Sequence, residues 1–416
     1  MMTTRQNRPG GVQDVGRFPG VEPGSSHFPL MSPEWGHIGT YELVTVLTIL
    51  VSGKIFLTFP ATLTERAKTS GWFVTTVGAL VAAVGVIAIV ALMNRFPDYS
   101  LSRVSLHLAG PVFGSVFNAL LSLFFFVLAA IVLREAAETL VIGILPLTPL
   151  SVLIVVMLIV IAYGTYLGIE AVSRTAFLLA PWLLLLLAAI LASDARYFNF
   201  VRLTPIWGTT PLKEIWLGVV RSALYAEIVA VAFLYPALRQ KKPVLRSTLV
   251  SLGFSWLIIT VLMVSVVAIF GVTGASRTAF PIYFMARLIH FGRFLQRVEA
   301  LFVFLWFFSA ALKVTVAFYI ANVAVSETLH LPNYRPLVPA MSVILYTVSF
   351  LAPSFIAVVN FEADIIRGYS SLICFGIPLI LLGLAVVTGK RQSGSRDEHH
   401  LRESSPGGKE GVADEG

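Results

Sequence analysis

From Gly39 to Lys390 the chain alternates between long apolar blocks and short polar connections. A helix needs about twenty mainly apolar residues to cross the hydrocarbon core of a bilayer. On that criterion the segments are Thr40–Phe59, Trp72–Met93, Pro111–Leu133, Pro149–Gly168, Val172–Ala192, Ile215–Leu238, Val244–Val272, Val298–Val325, Pro336–Val359 and Tyr369–Val387. The pattern predicts an all-α membrane protein of about ten transmembrane helices, occupying residues 39–389. Two stretches do not fit a crossing. Ser193–Lys213 reads as an amphipathic loop. Thr273–Arg297 carries Arg277, Pro281, Arg287, Arg293 and Arg297, and is predicted to lie across the outer surface as a short helix. Residues 1–38 are polar, rich in Gly and Pro, and lack an apolar h-region, so they read as a flexible tail and not a signal peptide. Residues 390–416 are charged and contain Gly and Ser, the composition of a disordered cytoplasmic tail.

Two spans break the pattern. The first holds Thr48–Pro60, TILVSGKIFLTFP, with Ser52, Gly53 and Lys54 in the middle of an apolar run. A lysine near mid-bilayer costs about 2.5–3.5 kcal/mol on insertion scales. Gly53 loosens the helix there, and Pro60 removes a hydrogen bond further on. The sixth span reads SALYAEIVAVAFLYP from Ser222, with Glu227 inside and Pro236 near its end. Each broken span is the first of a set of five. That is the topology of a five-plus-five inverted repeat with discontinuous helices one and six, and its site lies where the breaks meet. The argument is topological, since the halves show no sequence duplication.

Lys313, well inside the eighth span, is the third intramembrane charge. Left unpaired in lipid, Lys54, Glu227 and Lys313 together would cost on the order of 8–10 kcal/mol. They must therefore face the bundle interior, pair with each other, or touch water. The alternatives are a lysine that snorkels to a headgroup, a buried lysine that stays neutral, and an ion pair that serves structure alone. In a ligand site, Glu227 would accept a ligand ammonium or act as counter-ion to Lys54. Backbone groups around Ser52 and Gly53 would meet a carboxylate, and Phe125, Phe126 and Tyr225 would shape the apolar part, unless these rings only pack. Arg134 with Glu138, and Glu170 with Arg174, are four apart and can pair on one helix face. With Glu135 and Glu299 they read as span-end, loop-fixing groups.

Composition narrows the function. The chain is 57% hydrophobic and 12% charged, with net charge +8, a balance that suits a membrane face and not nucleic acid. Arg239, Lys241, Lys242 and Arg246 crowd one short loop and place it in the cytoplasm, with both tails on the same side; the arginines of Thr273–Arg297 pull the other way. Cys374 is the only cysteine, so no intrachain disulfide forms. The histidines have no metal-type spacing, and there is no phosphate-binding glycine loop or nucleophile elbow. No enzyme, cofactor or metal is implied.

Several motifs then carry a resemblance: KIFLTFP at Lys54, NRFPDYSL at Asn94, VLREAAE at Val132, YLGIEAVSRTA at Tyr166, TAFPIYFMARLI at Thr278, FLQRVEALFVFLWFFSAALKVTVAFY at Phe294 and YRPLVP at Tyr334. The last three in that order are specific as a set. The chain resembles the spore germination permease family, the B subunit of nutrient germinant receptors, within the amino acid–polyamine–organocation superfamily. The resemblance implies a transporter-like fold with an amino-acid-sized site between spans one, three, six and eight; in that fold spans one and six cross at the site and span eight packs beside span one, so Lys54 or Lys313 is expected within reach of Glu227. It implies a ligand-sensing subunit in the spore inner membrane, partnered by an A-type membrane subunit and a C-type lipoprotein; the alternative is a secondary amino acid transporter, for which Glu227 is the candidate for proton coupling. It also suggests that Lys313 stands, as a fixed cation, where ion-coupled relatives hold sodium. The lone glycine and Lys54 of the first break depart from the Gly-rich break of many amino acid transporters, and YAEIV matches the family's sixth-span region only in its glutamate.

Overall fold

The computed structural model describes residues 37–208, 224–288 and 298–392, without the side chains of residues 298–301. Both tails lie outside this range but for their inner edges, as do the start of the sixth span, the end of the Ser193–Lys213 loop, Arg293, Arg297 and the Glu299 side chain. The described residues are almost wholly helical, and seven helices among them are long and apolar enough to cross a membrane. One of the seven, Phe59–Met93, is interrupted at Lys68, whose φ of 50° separates the end of the first span from the second, Gly71–Met93.

The first span is broken where Gly53 interrupts it. A helix over Thr40–Ser52 opens with Glu42 accepting the Gly39 amide at 2.7 Å, then tightens into a 3-10 turn at Gly53–Phe56. A new helix, Phe59–Ala67, starts with Pro60 in its first turn, where a missing N–H leaves no helical bond unmade. The described part of the sixth span is broken as well, as a 3-10 turn Ala226–Val229, a short helix Ala230–Leu234 and a second 3-10 turn Tyr235–Ala237 that contains Pro236. The two run in opposite directions. Ile38, ahead of span one, donates to Ala237 O at 2.9 Å and accepts from Arg239 N at 3.1 Å, at the end of span six. Further along span one, Lys54 meets Leu224, near the start of the described part of span six. Start therefore faces end and break faces break, as an inverted repeat requires.

The eighth span, Val298–Thr328, is the axis of the bundle: 78% of its apolar window over Phe302–Thr328 is buried, against 22% for the fourth span, Leu150–Leu167. The third span packs along it most extensively. Leu178, Trp182 and Leu185 of the fifth span, Ile169–Asp194, point outward, as lipid-facing residues of a membrane helix do.

Three boundaries differ from the hydropathy reading. The third span is the long arm of a helical hairpin within Leu101–Gly143, folded at Gly110 (φ 79°) and Pro111. Only glycine takes that φ without strain, and proline is preorganised to start the second arm. The long arm continues ten residues past Leu133 to Gly143, so Arg134, Glu135 and Glu138 lie within a helix and not at its mouth. The ninth and tenth spans also move. Leu337–Ser349 ends early, because Pro353 and the Ser354 hydroxyl, which accepts from Ala357 N at 3.3 Å, start a new helix. That helix runs from Phe355 to Val387 through two π-turns, Glu362–Ile366 and Leu372–Gly376.

The third difference is Thr273–Arg297. The seventh span, Val244–Arg277, kinks at Gly271 (φ 67°), and a short helix Pro281–Arg287 follows. This helix enters the body instead of lying on the surface. Ile282, Met285 and Ala286 are buried, Tyr283 donates to Gly143 O at 2.9 Å, and Phe280 packs on Phe355. Charge count placed it outside, yet Arg287 is the only arginine of this helix and its apolar face packs into the body.

Candidate functional site

At the crossing of the two breaks, Glu227 lies between two lysines. Lys313 Nζ is 3.0 Å from Glu227 Oε1 and Lys54 Nζ is 3.2 Å from Glu227 Oε2. The ammonium groups also donate to backbone carbonyls, Lys313 to Leu50 O at 2.5 Å and Lys54 to Leu224 O at 2.7 Å. All three side chains are buried, Lys313 at 1% exposure and Lys54 at 8%. The broken backbone makes this arrangement possible. A helix that stops at Ser52 leaves carbonyls without partners and the negative end of its dipole beside them, and Lys313 occupies that end. Gly53 is needed for the approach, since a Cβ there would stand 3.1 Å from Lys313 Cδ.

This corrects the assignment of Ser52 and Gly53 to an anion. They close a half-helix and do not open one, so the freed groups are carbonyls. The Gly53 amide already donates to Ile49 O, and the Ser52 hydroxyl to Thr48 O at 2.6 Å. Cations, not a carboxylate, meet this end. The aromatics are buried and packed: Phe125 against Phe233, Phe126 against Phe318, while Tyr225 donates its hydroxyl to Thr75 O at 3.1 Å. A cavity of about 280 Å³ borders the first span on another side, walled by Ser52, Phe56, Phe177, Leu184, Phe254 and Ser309; Phe125, Phe126 and Tyr225 are not among its lining residues.

Sequence reasoning missed a second buried group beside the first. Glu135, read as a span-end residue, is 1% exposed and accepts the Thr58 hydroxyl at 2.7 Å. Arg367 grips Glu362 through two nitrogens at 3.2 and 2.8 Å, donates to Thr62 at 2.9 Å and covers the Phe59 ring at 4.8 Å. Glu362 opens the first π-turn of the tenth span, a distortion frequent at functional sites. Together these contacts tie the second half of span one to spans three and ten. A charged EADIIR run from Glu362 inside an apolar context was the available signal, but it fell in the gap assigned between spans nine and ten.

Arg66 and Asp364 also pair across spans one and ten, but their side chains are 52% and 65% exposed. Exposed pairs contribute about 0–1 kcal/mol. Asp364→Asn should therefore leave the thermal midpoint of the solubilised protein nearly unchanged, and a large drop would mean that this pair holds the two spans together. The span-end pairing expected for Arg134 with Glu138 is present at 2.9 Å, and Glu170 with Arg174 pairs too. At the opposite end of the bundle Glu327 is buried, 3.1 Å from Arg103 and bonded to Ser100, and joins the short arm of the hairpin to span eight. Among the described residues no group of His, Cys, Asp and Glu could hold a metal ion.

Two antiparallel broken helices with buried charges at their crossing define a transporter-type membrane fold. A solved structure shares it: MhsT in complex with L-phenylalanine superposes with a TM-score of 0.62, covering 88% of this chain and 92% of that one at 12% identity. The family described as spore germination protein matches residues 37–355, and the chain belongs to that family of spore germination permeases. Spore germination protein KB of Bacillus subtilis (strain 168) is 23% identical over 371 residues, 88% of this chain and 99% of that protein. The putative spore germination protein YfkT of the same organism is 25% identical over 266 residues, 63% of this chain and 72% of that protein. The chain is an integral membrane protein of the spore inner membrane, related to a germinant receptor subunit.

Proposed function

We propose that this chain is the ligand-sensing membrane subunit of a spore germinant receptor. It binds a small nutrient, an amino acid, at the crossing of spans one and six and passes the resulting closure to an A-type membrane subunit and a C-type lipoprotein. The observation that carries this reading is the Lys54–Glu227–Lys313 cluster, buried where two broken helices meet. Charges kept in a membrane interior at such expense mark function more often than packing. Lys313, held between Leu50 O and Glu227, supplies a fixed cation at the break, so ligand binding needs no sodium.

The test is a thermal-shift measurement on the purified receptor complex against amino acids, sugars and nucleosides, with and without sodium. A ligand at one hundred times its Kd stabilises the state it binds by about 2.7 kcal/mol. Amino acids should raise the midpoint equally in both salts. No shift from any amino acid would end the reading, and a shift only in sodium would remove the role given to Lys313. The shared fold with MhsT supports a second reading, a secondary amino acid transporter coupled to protons through Glu227. Uptake of labelled amino acid into proteoliposomes by the isolated chain would favour it.

A further inference from the structure

The cluster has a consequence for which carboxylate meets a ligand. Glu227 has a lysine on each oxygen, at 3.0 and 3.2 Å, and is saturated with positive charge. Glu362 is held by the fork of Arg367. Glu135 is different. It is 1% exposed, and among the described residues its carboxylate has one hydrogen bond, from the neutral Thr58 hydroxyl, and no ion pair. A carboxylate buried beside a single hydroxyl is under-compensated. Its partner Thr58 accepts from the Thr62 amide at 3.1 Å, and Thr62 in turn is bonded by Arg367 at 2.9 Å, so Glu135 lies beside the Arg367–Glu362 pair.

We infer that Glu135 is the acceptor for a ligand ammonium, and that the ligand is a net-neutral zwitterion whose carboxylate turns toward Lys54. This rests on the nutrient-binding reading above and names the ligand class for that site. Thr58, the partner of Glu135, follows Lys54 by four residues on the same broken segment, across the 3-10 turn Gly53–Phe56. A lysine ammonium has three donors. Lys54 gives one to Leu224 O and stands 3.2 Å from Glu227 Oε2 without a hydrogen bond to it, so a donor remains for a carboxylate. Of the two lysines it is also the more accessible. The charge count agrees: Lys54, Lys313 and Arg367 balance Glu135, Glu227 and Glu362. A zwitterion preserves that balance. A bare amine or a bare carboxylate adds one uncompensated charge to a low-dielectric interior, where such a charge is expensive.

The test uses the full-length chain in its receptor complex and the twenty common L-amino acids. For each one that binds, the 2-hydroxy acid (amine replaced by hydroxyl) and the decarboxylated amine are measured as well. In the wild type both analogues should bind about 10–100-fold more weakly, the range for a lost charged hydrogen bond. Glu135→Gln should weaken amino acid binding by a similar factor and should no longer distinguish the amino acid from its 2-hydroxy acid. Glu135→Gln that keeps full discrimination would overturn the inference while leaving nutrient binding intact. A wild type that binds no amino acid would overturn both, and one that prefers the bare amine would overturn the zwitterion. If Glu135→Gln does not fold, Thr58→Val decides. It removes the competing hydroxyl and frees the carboxylate, so discrimination for the amine should be kept or widened, and its collapse would refute the role.

Discussion

Glu227→Gln should destabilise the protein by about 3–5 kcal/mol, the usual penalty for removing one partner from a buried ion pair. The reason is the two lysines it leaves behind. Lys313 and Lys54 are 1% and 8% exposed, and the glutamate is the carboxylate that both of them touch. A glutamine oxygen can accept from one of them but neutralises neither. Their remaining partners, Leu50 O and Leu224 O, are neutral carbonyls. The readout is the thermal midpoint of the solubilised protein and the amount of folded protein recovered from membranes. Adding Lys54→Met should restore part of the loss, because one unpaired cation disappears while the apolar stem is kept. A Glu227→Gln protein as stable as the wild type would mean that the lysines are not held charged by this carboxylate.

Gly114→Val should be nearly as damaging, for a steric reason far from the charges. A Cβ at Gly114 would stand 2.7 Å from Leu106 Cα and 2.7 Å from Ser105 O. Both are backbone atoms of the opposing arm and cannot rotate aside. The arms must separate, and a buried network separates with them: Asn118 donates to Ser102 O at 3.1 Å and to Thr328 at 3.0 Å, and Ser105 bonds Asn118. Overpacking typically costs about 1–3 kcal/mol, and here unsatisfied buried amides add to it. Folded yield and midpoint should both fall sharply. Gly253, with nothing within 4 Å of its added Cβ, provides the control, and Gly253→Ala should be almost silent. If the two variants behaved alike, the close approach of the hairpin arms would be wrong.

Much of this architecture could be read from the chain because intramembrane charge is so expensive. Lys54, Glu227 and Lys313 stand out in apolar runs and need burial, pairing or water, and the resemblance to a fold in which spans one and six cross implies that they converge. Gly53 and Pro60 announced the first break, and Pro236 an irregularity near the end of span six. What hydropathy could not show was depth. Arg134 and Glu135 form a polar-looking RE pair and Glu138 follows, so hydropathy ends span three too soon and makes the buried carboxylate look interfacial. A window of apolar residues registers average composition and not which face of a helix a charge occupies. The same averaging placed Glu362 and Arg367 in a connection, although the helix runs through them with a π-turn. It also sent Pro281–Arg287 to the surface, because arginine count outweighed the buried face of Ile282 and Met285. The direction of the first break was the subtler miss: Ser52 and Gly53 end a half-helix, and the polarity of its dipole then selects a lysine and not an anion.

The backbone bridge between Ile38 and Ala237–Arg239, just past the end of span six, has a mechanical consequence. Because it fastens the entry of one broken rod to the exit of the other, the lower arm of span one cannot swing out alone. Any tilt that opens the crossing must drag the basic loop with it, and Lys241 of that loop is bonded to Asp98 at 2.6 Å, at the elbow leading into the helical hairpin. On the nutrient-binding reading proposed above, occupancy at mid-membrane would be geared to a displacement of surface charge, the kind of motion a neighbouring subunit can feel.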